Sequence, residues 1–312
     1  MGRKAKETVE LRFYEIPQGE PLLALLGEEW NRVYGHDNFY LHFHNLMEIG
    51  ICRRGEGELL INEKTYPYRT NSITLIPPNI PHTTISGGQS PNAWEFLYID
   101  INQIVEELYG ERLAQKNEAA ELIRQSAHLL DARQYPGIAG IVDAIIREMR
   151  QQKLYYRQMV KCYLHTLVYE IFRLEKAKTR TELETGGTGG MRQMTAALEY
   201  ISQNYRQDVK VGMLAQICGM SETYFRKVFE EYVHMLPMDY VNLVRVQKAC
   251  ELMKQGDDSM DEVAIQAGFA TTSTFNRNFK KFFNTSPYQW KINPDRYERK
   301  LQGFHINTLK GW

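Results

Sequence analysis

The chain is poor in cysteine. Its four, Cys52, Cys162, Cys218 and Cys250, lie far apart in 312 residues and form no C-x-x-C pair. That excludes a disulfide framework and a cysteine-built zinc site, and suits buried thiols in a reducing compartment. No apolar run approaches the roughly 20 residues that a membrane-spanning helix needs. The start, Met1-Gly-Arg-Lys-Ala-Lys-Glu7, leads into no apolar stretch, so no secretory leader is expected. An excess of either charge is also missing: 38 Lys plus Arg face 38 Asp plus Glu, for a formal net charge of zero. A histone-like positive coat is thereby excluded, and any nucleic-acid contact has to come from a local patch. What is present is core material. Hydrophobic residues make up 43% and aromatics 12%, which argues against long disorder. The expectation is a cytoplasmic protein without membrane contact, long enough for two domains.

The texture changes twice along the chain. From about 11 to 101 it consists of short β-rich runs, such as Met47-Glu-Ile-Gly-Ile-Cys52, Ser72-Ile-Thr-Leu-Ile76 and Trp94-Glu-Phe-Leu-Tyr-Ile-Asp-Ile101, separated by Gly, Pro and Asn. Strands at this spacing predict a small barrel or sandwich over 1–102. From 103 to 176 the period is helical. One apolar stripe holds Ile138, Ile141, Val142, Ile145, Ile146 and Met149; another holds Val160, Leu164, Leu167, Ile171 and Leu174. The second stripe has the seam spacing of a short coiled coil. Two readings stay open for it: packing on the chain's own barrel, or a dimerisation segment. The polar stretch that ends in Gly186-Gly-Thr-Gly-Gly190 predicts a linker over 177–190. Residues 191–293 read as helices, and 294–312 form an unassigned tail. The fold class is α+β, multi-domain.

The helical C-terminal part carries a weak internal duplication with a period of about 50 residues. The first copy is Leu214-Ala-Gln-Ile-Cys-Gly-Met-Ser-Glu-Thr-Tyr-Phe-Arg-Lys-Val-Phe229. The second is Val263-Ala-Ile-Gln-Ala-Gly-Phe-Ala-Thr-Thr-Ser-Thr-Phe-Asn-Arg-Asn-Phe279. In each, Ala215 or Ala264 permits a close helix crossing, and Gly219 or Gly268 permits a left-handed turn. A polar cap follows, Ser221 or Thr271/Thr272. A second helix is then anchored by phenylalanines four apart, Phe225 with Phe229 and Phe275 with Phe279. This is helix-turn-helix grammar written twice.

The phenylalanines fix the inward faces. Thr223, Arg226 and Lys227 then point outward in the first copy, and Ser273, Asn276 and Arg277 in the second. Arg suits guanine and Asn suits adenine in the major groove. Lys280 and Lys281 end the second helix, and no acidic residue occurs between Val263 and Pro294. That supplies the local positive patch, with double-stranded promoter DNA as the expected partner. Pro237 starts a connecting helix that runs to Lys254 and spans roughly 25 Å. A connector of that order holds two recognition helices about one duplex turn, roughly 34 Å, apart.

These residues resemble the AraC/XylS family of transcription regulators. The resemblance rests on Arg245-x-x-Lys-Ala249-x-x-Leu-Met253, Val263-Ala-x-x-Ala-Gly-Phe269, Phe275-x-Arg-x-Phe-Lys-Lys281 and Ser286-Pro287. It implies two helix-turn-helix units reading adjacent major grooves; the expectation as a whole is a homodimeric transcription activator, with contact to RNA polymerase as a further partner. His234 and Asn284 stand where that family usually has glycine, and Lys291 or Trp290 where it tends to have arginine.

In the N-terminal part, His42-Phe-His44-Asn-Leu-Met-Glu48 resembles a first cupin motif, and Pro78-Asn-Ile-Pro-His82 a second. On one strand, positions 42, 44 and 48 share parity and face one side. Three readings follow. One is an effector pocket without cofactor, lined by Tyr40, His42, His44, Glu48, His82 and Trp94, with a sugar as the effector that related regulators suggest. The second is a divalent transition metal on His42, His44, Glu48 and His82. The third is a metal-dependent enzyme, which Asn79 in place of the second-motif glycine and the shift of the first-motif glycine to Gly35 disfavour. No catalytic residue is assigned. A barrel that serves only as a dimerisation scaffold for a constitutive regulator is a further alternative.

Overall fold

The computed structural model describes residues 9–17, 19–35, 41–61, 64–125, 127–177, 182–183, 189–256, 258–293 and 306–310. Residues 14–187 make one compact unit, and residues 188–308 the body of another.

Strand β1 (Val9–Glu15) leads into the first unit, which continues with β2 (Leu23–Leu25), β3 (Asn31–Arg32), β4 (Leu41–His44), β5 (Met47–Arg54), β6 (Glu56–Ile61), β7 (Lys64–Arg69), β8 (Ser72–Ile76), β9 (His82–Ser86) and β10 (Asn92–Ile99). Helices α1 (Ile101–Tyr109) and α2 (Leu113–Gln125), strand β11 (Ala127–Asp131), helices α3 (Pro136–Gln151) and α4 (Tyr156–Lys176) and strand β12 (Glu182–Leu183) follow. The strands form two sheets, not the closed barrel that was one of the expected forms. One sheet includes the order β1-β4-β9-β6-β7. The other runs β12-β11-β8-β5-β10-β2, with β3 also pairing β10.

Alternation along the strands assigns their faces. In β5, β8 and β10 the residues Met47, Ile49, Ile51, Ile73, Leu75, Leu97 and Ile99 join the helices in one core. Their neighbours Cys52, Ile76, Trp94, Phe96 and Tyr98 share a second core with Leu59 and Ile61 of the opposite sheet. The second sheet is thus apolar on both faces, with the sandwich interior on one side and a helical layer on the other. Gly50 fits this crowding, because a Cβ there would lie 2.5 Å from Thr74 Oγ1. Asp100 caps α1 by accepting from the amides of Asn102 and Gln103, which turns the chain from β10 into the helical layer.

Two expectations change here. The stretch 103–176 is not a free-standing helical segment. It contains β11, which pairs β8 in register from His128 opposite Leu75 to Asp131 opposite Ser72. Nor does the coiled-coil seam face a partner. Val160, Leu164, Leu167, Ile171 and Leu174 are all buried at 5% exposure or less and belong to the chain's own core with α3 and the sheet. The heptad-like spacing reports intramolecular packing. The outward face of α4 carries Met159, Cys162, Thr166, Tyr169 and Arg173. Most of the expected linker lies outside the described residues; within it Glu182–Leu183 pair with β11 as β12. Of the tail, only β13 (Ile306–Lys310) is described.

The second unit consists of α5 (Gly189–Asn204), α6 (Val211–Ile217), α7 (Glu222–Val233), α8 (Pro237–Gln255), α9 (Met260–Gln266), α10 (Thr272–Phe283) and α11 (Pro287–Ile292). Pro237 takes the first turn of α8, where its missing N–H costs no hydrogen bond. The fully buried Phe225, Phe229, Phe275, Phe279, Phe283 and Trp290 anchor this unit. Arg245 of α8 fastens the end of α5. Its Nε donates to Tyr205 O at 2.7 Å and its Nη2 to Gln207 O at 2.8 Å.

Candidate nucleic-acid interface and a buried polar cluster

The two helix pairs α6–α7 and α9–α10 repeat one local design. Gly219 (φ 62°) and Gly268 (φ 89°) take the left-handed conformation that turns each first helix into its second. Ser221 Oγ accepts from the Tyr224 amide and Thr271 Oγ1 from the Thr274 amide, so each second helix starts capped. Ser259 and Glu262 add a full capping box to α9. Each second helix ends on a left-handed residue, His234 (φ 57°) and Asn284 (φ 53°), the places where the family resemblance expects glycine. The departure in residue type leaves the backbone conformation unchanged.

Thr223, Arg226, Lys227, Ser273, Asn276, Arg277, Lys280 and Lys281 are all exposed, while the phenylalanines beneath them are buried. They are not equally available. Arg226 Nη2 is 2.6 Å from Glu222 Oε1, one turn earlier. Lys281 Nζ donates to Asp239 Oδ1 at 2.6 Å and is thereby tied to α8. Arg277 and Lys280 form no ion pair among the described residues. The outward face of α10 is therefore the more open cationic surface of the two.

In the first unit, His42, His44, Glu48 and His82 come together, each 7% exposed or less. The route differs from the expected one. The sequence 42–48 is not one strand: β4 ends at His44 and β5 begins at Met47 in the other sheet. His42 and His44 therefore approach from one sheet and Glu48 from the facing one. His82 stands opposite His42 on the neighbouring strand β9. Asn79 sits at φ 64°, a conformation natural to the glycine it replaces, and its amide donates to His44 O at 2.9 Å. Ligand atoms of the four side chains all lie within 4.8 Å of one another.

Hydrogen bonds orient the cluster. His44 Nδ1 lies 2.7 Å from Leu46 O and His82 Nδ1 2.8 Å from Ile80 O. The Nε2 atoms face Glu48 Oε2 at 3.2 Å and 3.4 Å. Tyr98 donates its hydroxyl to the same oxygen at 2.8 Å. Burial works against ionisation of the Glu48 carboxyl, and only positive charge beside it, such as attraction and hydrogen bonds from protonated His82 and His44, draws its pKa well below the usual carboxylate range. Burial, assisted by His82, holds the His44 pKa below the ordinary histidine value. Burial and the adjacent Glu48 push the Tyr98 phenol well up, so it remains a donor. The result is a dry, anionic acceptor surrounded by fixed imidazoles.

Two expected lining residues do not join this cluster. Tyr40 lies outside the described residues. Trp94 is buried four residues along β10 from Tyr98, roughly 13 Å away, where it stacks on Phe96 and meets Tyr68 edge-on. The aromatic residues of the cluster are instead Tyr98 and Tyr14, whose rings lie 5.2 Å and 5.4 Å from that of His44. Sequence reasoning missed both. Tyr98 shares Trp94's parity on β10, but that it falls opposite Glu48 is set by a strand register between residues 50 positions apart; Tyr14 carried no signal at all.

Comparison with known proteins matches these two regions separately. Residues 31–168 match a model described as an AraC-like ligand binding domain, and residues 214–292 one described as a helix-turn-helix domain. Over 258 residues the chain is 23% identical to the HTH-type transcriptional activator RhaS of Pectobacterium atrosepticum, covering 79% of this chain and 85% of RhaS. Over 260 residues it is 20% identical to the raffinose operon transcriptional regulatory protein RafR of Pediococcus pentosaceus, covering 82% and 85%. Among solved structures, unsaturated fatty acid-bound ToxT from Vibrio cholerae aligns over 87% of this chain and 94% of its own, at 15% identity and a TM-score of 0.38. No helix among the described residues is long and apolar enough to cross a membrane. With an AraC-like ligand-domain match followed by a helix-turn-helix match, and transcriptional regulators aligned over most of its length, the chain belongs to the AraC family of DNA-binding transcriptional regulators.

Proposed function

We propose that this chain is an effector-responsive activator that reads promoter DNA with the outward faces of α7 and α10. The observation that carries the reading is the pairing of two capped, phenylalanine-anchored helices whose exposed faces bear Thr223, Arg226, Lys227, Ser273, Asn276 and Arg277. Arg277 and Asn276 are assigned to base edges, where bidentate contacts discriminate bases. Lys280 supplies a phosphate contact, which adds affinity without sequence choice.

The effector site is placed in the interior of the two-sheet sandwich at the His42, His44, Glu48 and His82 cluster. A sugar is the effector class. The name of RafR ties that relative to a raffinose operon, and polar groups among aromatic rings suit a saccharide. The activator sense follows the printed name of RhaS. An effector acts only by binding two states of the protein with different affinity, so its arrival has to change promoter affinity or geometry. A homodimer is part of the proposal, and on α4 the face open to a second copy is Met159, Cys162, Thr166 and Tyr169. The full chain on a genome-wide DNA-binding map, followed by promoter titration with and without mono- and oligosaccharides, tests the reading. Enrichment of no defined motif would sink it.

A further inference from the structure

The cluster of His42, His44, Glu48 and His82 contains a conflict that hydrogen bonding within the protein does not resolve. Leu46 O and Ile80 O are carbonyls and only accept. The Nδ1 atoms of His44 and His82, 2.7 Å and 2.8 Å away, must therefore carry hydrogens. In a neutral imidazole that leaves Nε2 as a bare lone pair. Both Nε2 atoms face Glu48 Oε2, an acceptor as well, which already receives the Tyr98 hydroxyl. Two lone pairs thus converge on an anionic oxygen. Protonating both rings would supply hydrogens, but it would leave two cations against one carboxylate in a site shielded from water, an expensive arrangement.

One cation among the four side chains removes the conflict. A shell with metal–ligand bonds of about 2.1 Å sets neighbouring donor atoms roughly 3.0 to 3.4 Å apart. The Nε2–Oε2 separations of 3.2 Å and 3.4 Å fall in or at the edge of that range. His42, opposite His82 with ring centroids 4.4 Å apart, provides the third imidazole. The two Nδ1–carbonyl contacts are the outer-shell bonds that fix tautomer and ring angle in metal-binding histidines. The donor set also chooses the ion: calcium and magnesium prefer shells of oxygen, whereas imidazoles with one carboxylate suit zinc and the later first-row metals.

We propose that His42, His44, Glu48 and His82 bind one divalent transition-metal ion between the two sheets of the N-terminal unit. The site deepens the effector reading by naming what the polar cluster holds. It rests on that reading for nothing but the effector's location, and it is independent of DNA recognition.

The test uses the full chain without a histidine tag, stripped with chelator and titrated with Co2+. The expected result is one Co2+ per chain, visible absorption bands from a nitrogen- and oxygen-ligated ion, displacement by Zn2+, and a higher unfolding temperature for the metal-loaded protein. His44→Gln and Glu48→Gln should each weaken Co2+ binding by well over roughly tenfold, more than the loss of an outer-shell partner does. His42→Gln, at the least buried position of the four, is the companion variant should those two fail to fold; circular dichroism checks each. Absence of stoichiometric uptake of Co2+, Zn2+, Mn2+, Fe2+ and Ni2+ would overturn the proposal. So would unchanged affinity in a folded variant. Promoter affinity measured on the same samples separates a failure here from a failure of the regulator reading.

Discussion

Gly219 and Gly268 occupy the same place in the two helix-turn-helix units, yet alanine should cost very different amounts at each. Both are left-handed, at φ 62° and 89°, and an L-residue there costs about 1–2 kcal/mol. At Gly219 nothing lies within 4 Å of an added Cβ, so Gly219→Ala should lose only that backbone term. At Gly268 the new Cβ would sit 2.7 Å from both Arg206 Cα and Tyr205 O. These are backbone atoms that cannot rotate away. Tyr205 O also receives the Arg245 Nε hydrogen bond, so a shift there loosens the fastening of α5 to α8. Forced overpacking adds about 1–3 kcal/mol, which brings Gly268→Ala to roughly 2–5 kcal/mol. Urea unfolding, with hydrogen–deuterium exchange read on peptides from 189–293, measures the two variants side by side. Exchange should rise across α5, α9 and α10 for Gly268→Ala, and chiefly at the α6–α7 turn for Gly219→Ala. Equal losses would refute the close-approach argument and leave only the backbone term.

Arg277→Ala should weaken binding to a specific site by about 1–3 kcal/mol while changing binding to random duplex far less; fluorescence anisotropy on both DNAs measures it, and an equal loss on both would reassign Arg277 to phosphate. Lys280→Ala should instead lower the slope of log affinity against log salt by about one on every sequence. Tyr98→Phe removes a donor to an ionised carboxylate and should destabilise the chain by about 1.5–3 kcal/mol in thermal unfolding. Leu167→Ala should destabilise by about 2–5 kcal/mol without altering the sedimentation of the folded protein, because it opens a cavity inside one chain. Tyr169→Glu on the outward face of α4 should do the reverse, leaving stability near wild type and shifting a dimer toward monomer; a folded Leu167→Ala that dissociates would restore the seam to the interface.

The doubled helix-turn-helix was legible because each of its parts has a local physical requirement. A left-handed turn asks for Gly219 or Gly268, a helix start asks for Ser221 or Thr271, and a buried face asks for Phe225 and Phe229 or Phe275 and Phe279. None of these depends on distant residues. The polar cluster was legible in membership and not in construction. Parity along 42–48 selected His42, His44 and Glu48, although a sheet-to-sheet crossing at 45–46 is what brings them together. Parity within a strand and proximity across a sandwich gave one answer here for different reasons. Tyr98 and Tyr14 escaped because their relation to Glu48 and His44 is set by pairing and packing over 50 and 30 positions, which no local pattern encodes. Trp94, expected as an aromatic face of the effector pocket, instead fills the core of the same interior farther along the strand.

The stripe on α4 shows where periodicity stops being informative. Val160, Leu164, Leu167, Ile171 and Leu174 at alternating spacings of four and three state that one helix face leaves water, and they say nothing of what covers it. The deciding signal lay in the strands. Met47-Glu-Ile-Gly-Ile-Cys52 and Ser72-Ile-Thr-Leu-Ile76 place aliphatic side chains at 47, 49, 51, 73 and 75, and further apolar ones at 52 and 76 on the other side. A sheet that is apolar on both faces needs two covering layers. The facing sheet supplies one, and the helices that follow directly in the chain are the nearest source of the second. Matching the unclaimed apolar face of the sheet to the apolar stripes of α3 and α4 therefore assigns those stripes to the interior of one chain. A dimer must then use residues the stripe leaves out, which is why Tyr169 rather than Leu167 is the position at which assembly and stability should separate.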